Sequence, residues 1–316
     1  MGRPAGLTLA YHGLITAVST IVGAVIGFAF VVSKSSAMES MSSDELTSVM
    51  DQLTVEAVRL AGIISLICSI SGFLFIMLMR RRVIFHRQFW AGESGHARMK
   101  PAWLLAFIAL IIGVQGVFML LQIGFSAIGV DLASPTSDEI EKASVTVSMW
   151  LYVGLIGPIV EETVFRGVLM RELKPLGKNF AILTSSVMFA LYHQDVIQGL
   201  FAFGIGLILG FVAMEYSLFW SIVLHVFNNS VIGGLGSIAD ANGEMASMAF
   251  IISMIAIGFI GVLVVMLQYG KGLRTFRRMN RSLPGTYWGW TSGCFLTFCI
   301  INGLIAITSF IGAMAV

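Results

Sequence analysis

The sequence predicts an all-α, polytopic integral membrane protein. About eight or nine transmembrane helices would enclose a buried core of helices that carry polar groups. Three observations predict this class. Hydrophobic residues make up 57% of the 316-residue chain and charged residues only 11%, whereas a soluble domain is about 25% charged. The mean hydropathy is +0.90, so the chain has too little polar surface to cover a core in water. Apolar runs of about 20 residues, enough to cross the hydrocarbon of a bilayer, recur from one end of the chain to the other.

Nine candidate spans follow in order: 10–33, 57–79, 102–128, 145–170, 179–197, 198–216, 217–236, 246–268 and 289–313. The first apolar run is too long for the h-region of a secretory signal, and no clear cleavage site follows it. The stretch 34–56 reads as a polar loop ending in a short amphipathic lead-in. The stretch 271–288 is basic and leads into Tyr287, Trp288 and Trp290, as expected of an interfacial segment. No soluble block is long enough to fold alone. The chain divides into N-terminal helices and a basic loop (1–144), a polar core (145–236) and C-terminal helices (237–316).

Orientation follows from the basic residues. Arg80, Arg81, Arg82, Arg87, Arg98 and Lys100 separate spans two and three; Arg171, Lys174 and Lys178 separate spans four and five. Lys271, Arg274, Arg277, Arg278 and Arg281 separate spans eight and nine. Such loops stay cytoplasmic. The alternate loops are acidic or neutral, with Glu39, Asp44, Glu45 and Asp51, then Asp131, Asp138, Glu139 and Glu141, then Asp240 and Glu244. The expectation is a multi-pass protein of the cell membrane with a cytoplasmic N-terminus and an external C-terminus. A net charge of +2 gives no reason to expect a nucleic-acid partner. Cys68, Cys294 and Cys299 lie in apolar runs without metal-ligand spacing and read as small packed hydrophobes.

Ionisable groups inside spans are costly and are functional candidates by default. Here they concentrate between 161 and 229. Glu162 and Arg166 are i,i+4 on one helix face and can pair. Glu161 points about 100° away and lacks that intrahelical partner, which leaves it free for general base and acid work. His193 closes span five. His225 and Asn229 share a face of span seven. Counting from the turn near Gly177 gives about 23–25 Å both back to Glu161 and forward to His193 at the rise of an α-helix. The two therefore lie at one level, and His225 reaches that level too if the hairpin protrudes into the cytosol. One site open toward the cytoplasm is expected. Gly206 and Gly210 form a small-xxx-small face for close helix packing.

The motifs fit a known pattern. Glu161-Glu162-Thr163-Val164-Phe165-Arg166 reads EExxxR, Phe189-Ala190-Leu191-Tyr192-His193 reads FxxxH, and His225-Val226-Phe227-Asn228-Asn229 reads HxxxN. In this order and spacing the segment 145–236 resembles the CPBP family, the CAAX-protease and bacteriocin-processing (Abi) intramembrane peptidases. The resemblance implies a catalytic helix core and hydrolysis of a peptide bond in a membrane-associated peptide or protein. Glu161 would activate water with His193 beside it, Glu162 and Arg166 would orient the site, and His225 and Asn229 would bind the developing oxyanion or complete the water site. It leaves the cofactor open between none and zinc held by His193, His225 and Glu161. Partners are then the substrate and the lipid bilayer. Gly92-Glu93-Ser94-Gly95 reads GxSG, as in rhomboid proteases, but sits in a basic loop rather than a buried helix. No paired intramembrane aspartates occur, which excludes a presenilin-like site. Two other classes compete: a non-enzymatic scaffold or immunity protein of the same fold, and a transporter relaying protons through Glu162, Arg166 and His193.

Overall fold

The first helix outgrows its predicted span at both ends. In the computed structural model, which describes residues 1–38, 42–92, 96–130, 132, 134–135 and 146–314, α1 is Gly2–Met38 and α2 is Ser43–Ile84. Most of the expected 34–56 loop is thus helix. Ser42 caps α2 by accepting from the Glu45 N–H, while the Glu45 carboxylate accepts from the Ser42 N–H at 2.7 Å. This reciprocal capping box, Ser-x-x-Glu, begins the helix well before the apolar run does. Glu39, Asp131, Asp138, Glu139, Glu141 and the Glu93–Gly95 part of GxSG lie outside the described residues, as do the side chains of Asp44 and Asp51.

A short α3 (Arg87–Ala91) follows, then α4 (Pro101–Ser126), with Pro101 placed where a missing N–H costs nothing. Helix α5 runs over 147–173. Three α segments (Val147–Leu151, Gly157–Glu162 and Arg171–Leu173) alternate in it with two π segments (Tyr152–Ile156 and Thr163–Met170). The polar core is completed by α6 (Lys178–Tyr192), α7 (Val196–Glu215) and α8 (Leu218–Ala241), the last with its own π segment, Phe227–Ile232. Asp195 caps α7 by accepting from Gln198, and Ser217 caps α8 by accepting from Trp220. The chain ends with α9 (Glu244–Met279), a 3₁₀ turn (Thr286–Thr291) and α10 (Gly293–Met314). The basic stretch after 271 therefore begins as helix.

Among the described residues, seven helices are long and apolar enough to cross a membrane: α1, α2, α4, α7, α8, α9 and α10. The other two predicted spans are helical but differ in kind. Glu161, Glu162 and Arg166 interrupt the apolar run of α5, and α6 has only 15 residues. Their neighbours shield α6 and the 162–170 part of α5 from lipid, while Val147 and Trp150 near the start of α5 stay exposed. The outer helices do the reverse. Phe28, Leu78, Leu105, Phe259 and Leu267 are each at least 65% exposed, an arrangement affordable only against hydrocarbon. The protein is a multi-pass, all-α membrane protein.

Glycine lets α4 and α9 come together. A Cβ on Gly113 would lie 2.3 Å from Val262, and one on Gly258 would lie 2.7 Å from the Ile112 carbonyl. Between lipid-exposed helices there is no hydrophobic gain from association, so such close backbone contact supplies the attraction.

Candidate active site

The site is built where α5, α6 and α8 meet. Glu162 is fully buried, and three side chains hold its carboxylate. Arg166 Nη1 lies 3.0 Å from Oε1, His225 Nδ1 donates to Oε1 at 3.0 Å, and the Ser221 hydroxyl lies 2.5 Å from Oε2. The Ser221 hydrogen is shared between that oxygen and the Leu209 carbonyl at 3.0 Å. Arg166 approaches Glu162 obliquely, as an ion pair rather than a linear hydrogen bond. Its guanidinium carbon sits 4.1 Å from the centre of the Phe189 ring, a cation–π contact strengthened by the burial of Arg166.

These contacts set the tautomer of His225. A carboxylate oxygen can only accept, so Nδ1 carries the hydrogen and Nε2 turns toward Glu161, 3.8 Å from its Oε2. His193 is fixed in the same way: Nδ1 donates to the Phe189 carbonyl at 2.8 Å, which leaves Nε2 for the cavity. Glu161 keeps its carboxylate partly exposed, with 15% of the side chain accessible against none for Glu162.

Glu161, His193, His225 and Asn229 all line one cavity of about 450 Å³, large enough for a short stretch of peptide. Glu162 and Arg166 sit behind its wall. All six candidate catalytic residues read from the sequence are therefore at this place, four facing the cavity and two bracing it. Asn229 donates one amide hydrogen to the Val153 carbonyl at 2.9 Å, and Ser230 donates to the Gly154 carbonyl at 2.7 Å. Both bonds tie the π segment of α8 to the first π segment of α5.

The direction of the cavity departs from expectation. Its lining runs along α5 from Glu161 to Tyr152, along α1 from His12 to Thr20 and along α7 from Ile205 to Gln198. Each path leads away from the helix ends that carry Arg80, Arg171 and Lys178. The space opens toward the end opposite the basic residues, not toward them. Depth counting fixes the level of a residue along its helix, but not the side on which packing leaves room. On the basic side Phe165, Leu169, Leu173 and Phe180 fill the interior, each at most 1% exposed.

Among the described residues no three His, Cys, Asp or Glu groups come together as a ligand set. Nδ1 of His225 and of His193 is engaged and both Nε2 atoms face the cavity, but among the described residues His193, His225 and Glu161 do not stand together as a ligand set.

Gly206 explains how Arg166 is accommodated. A Cβ there would lie 3.0 Å from Arg166 Nη2 and 3.2 Å from Ser186 Cβ. Gly206→Val is expected to destabilise the protein by about 1–3 kcal/mol through overpacking. Thermal unfolding in detergent checks this against Gly303→Val, where an added Cβ meets nothing within 4 Å.

The motif-bearing stretch now has a counterpart among known families. Residues 143–231 match the family model described as Type II CAAX prenyl endopeptidase Rce1-like. This segment is Rce1-like. The matching model is one of the CPBP family, and the matched segment contains all six residues discussed above. The match covers under a third of the chain and leaves α1, α2 and α10 outside. Neither a curated protein nor a solved structure matches the chain.

Sequence reading missed His12, Tyr152, Tyr192 and Gln194, which also line the cavity. His12 had a legible signal, an ionisable group inside the first apolar run. The tyrosines gave none, because an aromatic residue in a transmembrane helix is ordinary.

Proposed function

We propose that the chain is an intramembrane endopeptidase that hydrolyses a peptide bond of a membrane-associated peptide or protein by glutamate-activated water. One observation carries this reading: the Glu161 carboxylate shares a buried cavity with Nε2 of His193 and His225, while Glu162 is locked behind it by Arg166, His225 and Ser221. The Rce1-like match supports the same chemistry.

Glu161 takes a proton from water as the water oxygen attacks the scissile carbonyl. The C–O bond forms and the carbonyl electrons pass to its oxygen. The water's other hydrogen is donated to Nε2 of His193, which holds the water against Glu161, while Nε2 of His225 faces the same cavity. Asn229 retains a second amide hydrogen beside the one given to Val153, and this hydrogen meets the oxyanion. The proton on Glu161 then passes to the leaving nitrogen as the C–N bond breaks. Glu162 does not exchange protons; it orients His225, much as a buried carboxylate orients a catalytic imidazole.

The test compares the peptides of cells carrying wild-type protein with those carrying Glu161→Ala. Product peptides are expected to vanish, and their precursors to accumulate, only with the variant. Identical peptide profiles at equal protein levels would overturn the reading.

A further inference from the structure

Beside His193 the backbone takes a conformation that needs support. Gln194 has φ +55°, the only positive φ of a non-glycine residue among those described. An L side chain is disfavoured there because its Cβ crowds the backbone. The turn requires it all the same: only His193, Gln194 and Asp195 separate α6 from α7. Turns of this kind commonly use glycine or asparagine, and glutamine is neither.

Two side chains from outside the Rce1-like segment supply the support. The Gln194 side-chain amide donates to Asn302 Oδ1 on α10 at 3.0 Å and faces His12 Nε2 on α1 at 3.4 Å. Both amide hydrogens are thus engaged. Asn302 is fully buried and is itself fixed by donating to the Phe298 carbonyl at 2.8 Å. His12 is 8% exposed, and its ring packs edge-on against Tyr192 with centroids 5.4 Å apart. Tyr192 directly precedes His193. Helices α1 and α10 therefore grip both neighbours of a residue that faces the cavity.

We propose that His12 and Asn302 are positioning residues, which through Gln194 and Tyr192 fix the turn that presents His193 to the cavity. The motif-bearing helices are then incomplete as a site without the first and last helices of the chain. The activity part of this inference rests on the peptidase reading; the positional part does not.

The experiment uses the full chain labelled with ¹⁵N-histidine in detergent micelles, with His193 identified by the signals lost in His193→Gln. Wild type is expected to show one His193 signal set with the hydrogen on Nδ1. His12→Phe keeps a ring against Tyr192 and Phe298 but removes the acceptor, and Asn302→Ala removes the other. Each is expected to split or broaden the His193 signals. Glycine takes a positive φ without a clamp, so His12→Phe should disturb those signals far less on a Gln194→Gly background. In the activity arm, His12→Phe is expected to lower kcat on the order of tenfold to a hundredfold, with KM nearly unchanged. A single unchanged His193 signal set in both His12→Phe and Asn302→Ala would overturn the proposal, whatever the activity. Cleavage absent in wild type, with the His193 signals still responding, would overturn the peptidase reading and leave the clamp standing.

Discussion

Glu161→Gln is expected to lower the rate constant for peptide hydrolysis by about 10²–10⁴-fold, the usual contribution of a general base. The carboxamide has nearly the same shape but cannot take the proton. Little stability should go with it. Glu161 is partly exposed to the cavity, and His225 Nε2 lies 3.8 Å from its Oε2. A change at a site so lightly engaged should stay within about 0.5 kcal/mol of wild type. Turnover of a native product, measured alongside thermal unfolding in the same micelles, checks both halves. Wild-type turnover by Glu161→Gln would remove this residue from the role of base.

The neighbouring glutamate should behave in the opposite way. Glu162 and Arg166 have no accessible side-chain surface, so removing either charge strands the other in a medium that cannot solvate it. Glu162→Gln and Arg166→Met are each expected to cost about 3–5 kcal/mol of stability. Removing both charges together should return the protein to within about 1–2 kcal/mol of wild type, because a buried ion pair is worth little more than apolar packing. The double variant should be folded and inactive, since His225 would lose the carboxylate that orients it. Unfolding of the two single variants and the double variant forms a closed cycle. A double variant no more stable than either single one would show that the two charges do not compensate each other.

Much of this site was legible in the sequence because lipid makes polarity expensive. Glu161, Glu162, Arg166, His193, His225 and Asn229 stood out against apolar surroundings, and helical rise alone placed three of them at one level. What stayed hidden was azimuth and packing. No spacing rule says that Ser221 turns toward Glu162 or that Gly206 makes room for a guanidinium. The direction of the cavity was read wrongly for a related reason: the aromatic and aliphatic residues that fill the basic side look, in sequence, like those that face lipid. Helix ends were misjudged wherever capping outran hydrophobicity, as at Ser42 and Glu45. The contribution of α1 escaped notice because the polar residues at helical spacing from His12, namely Thr16, Ser19 and Thr20, are hydroxyl side chains of a kind ordinary in membrane helices.

The π segments carry a consequence for how this sequence can change over time. A π turn amounts to one residue inserted into an α-helix, and the residues beyond it are rotated by about 100° relative to an uninterrupted helix. The Tyr152–Ile156 segment ends about one α turn ahead of Glu161, and Phe227–Ile232 begins just after Val226, the residue that follows His225. Asn229 and Ser230 tie the two together through the carbonyls of Val153 and Gly154. Losing a single residue from either segment would break this register and swing the glutamates or the histidine off their common face, although every motif letter would survive. Substitutions here can be conservative; gaps cannot. The stretch from Val153 to Ser230 should thus act as a fixed-length frame, in which descendants of this gene vary by exchange of residues and not by their number.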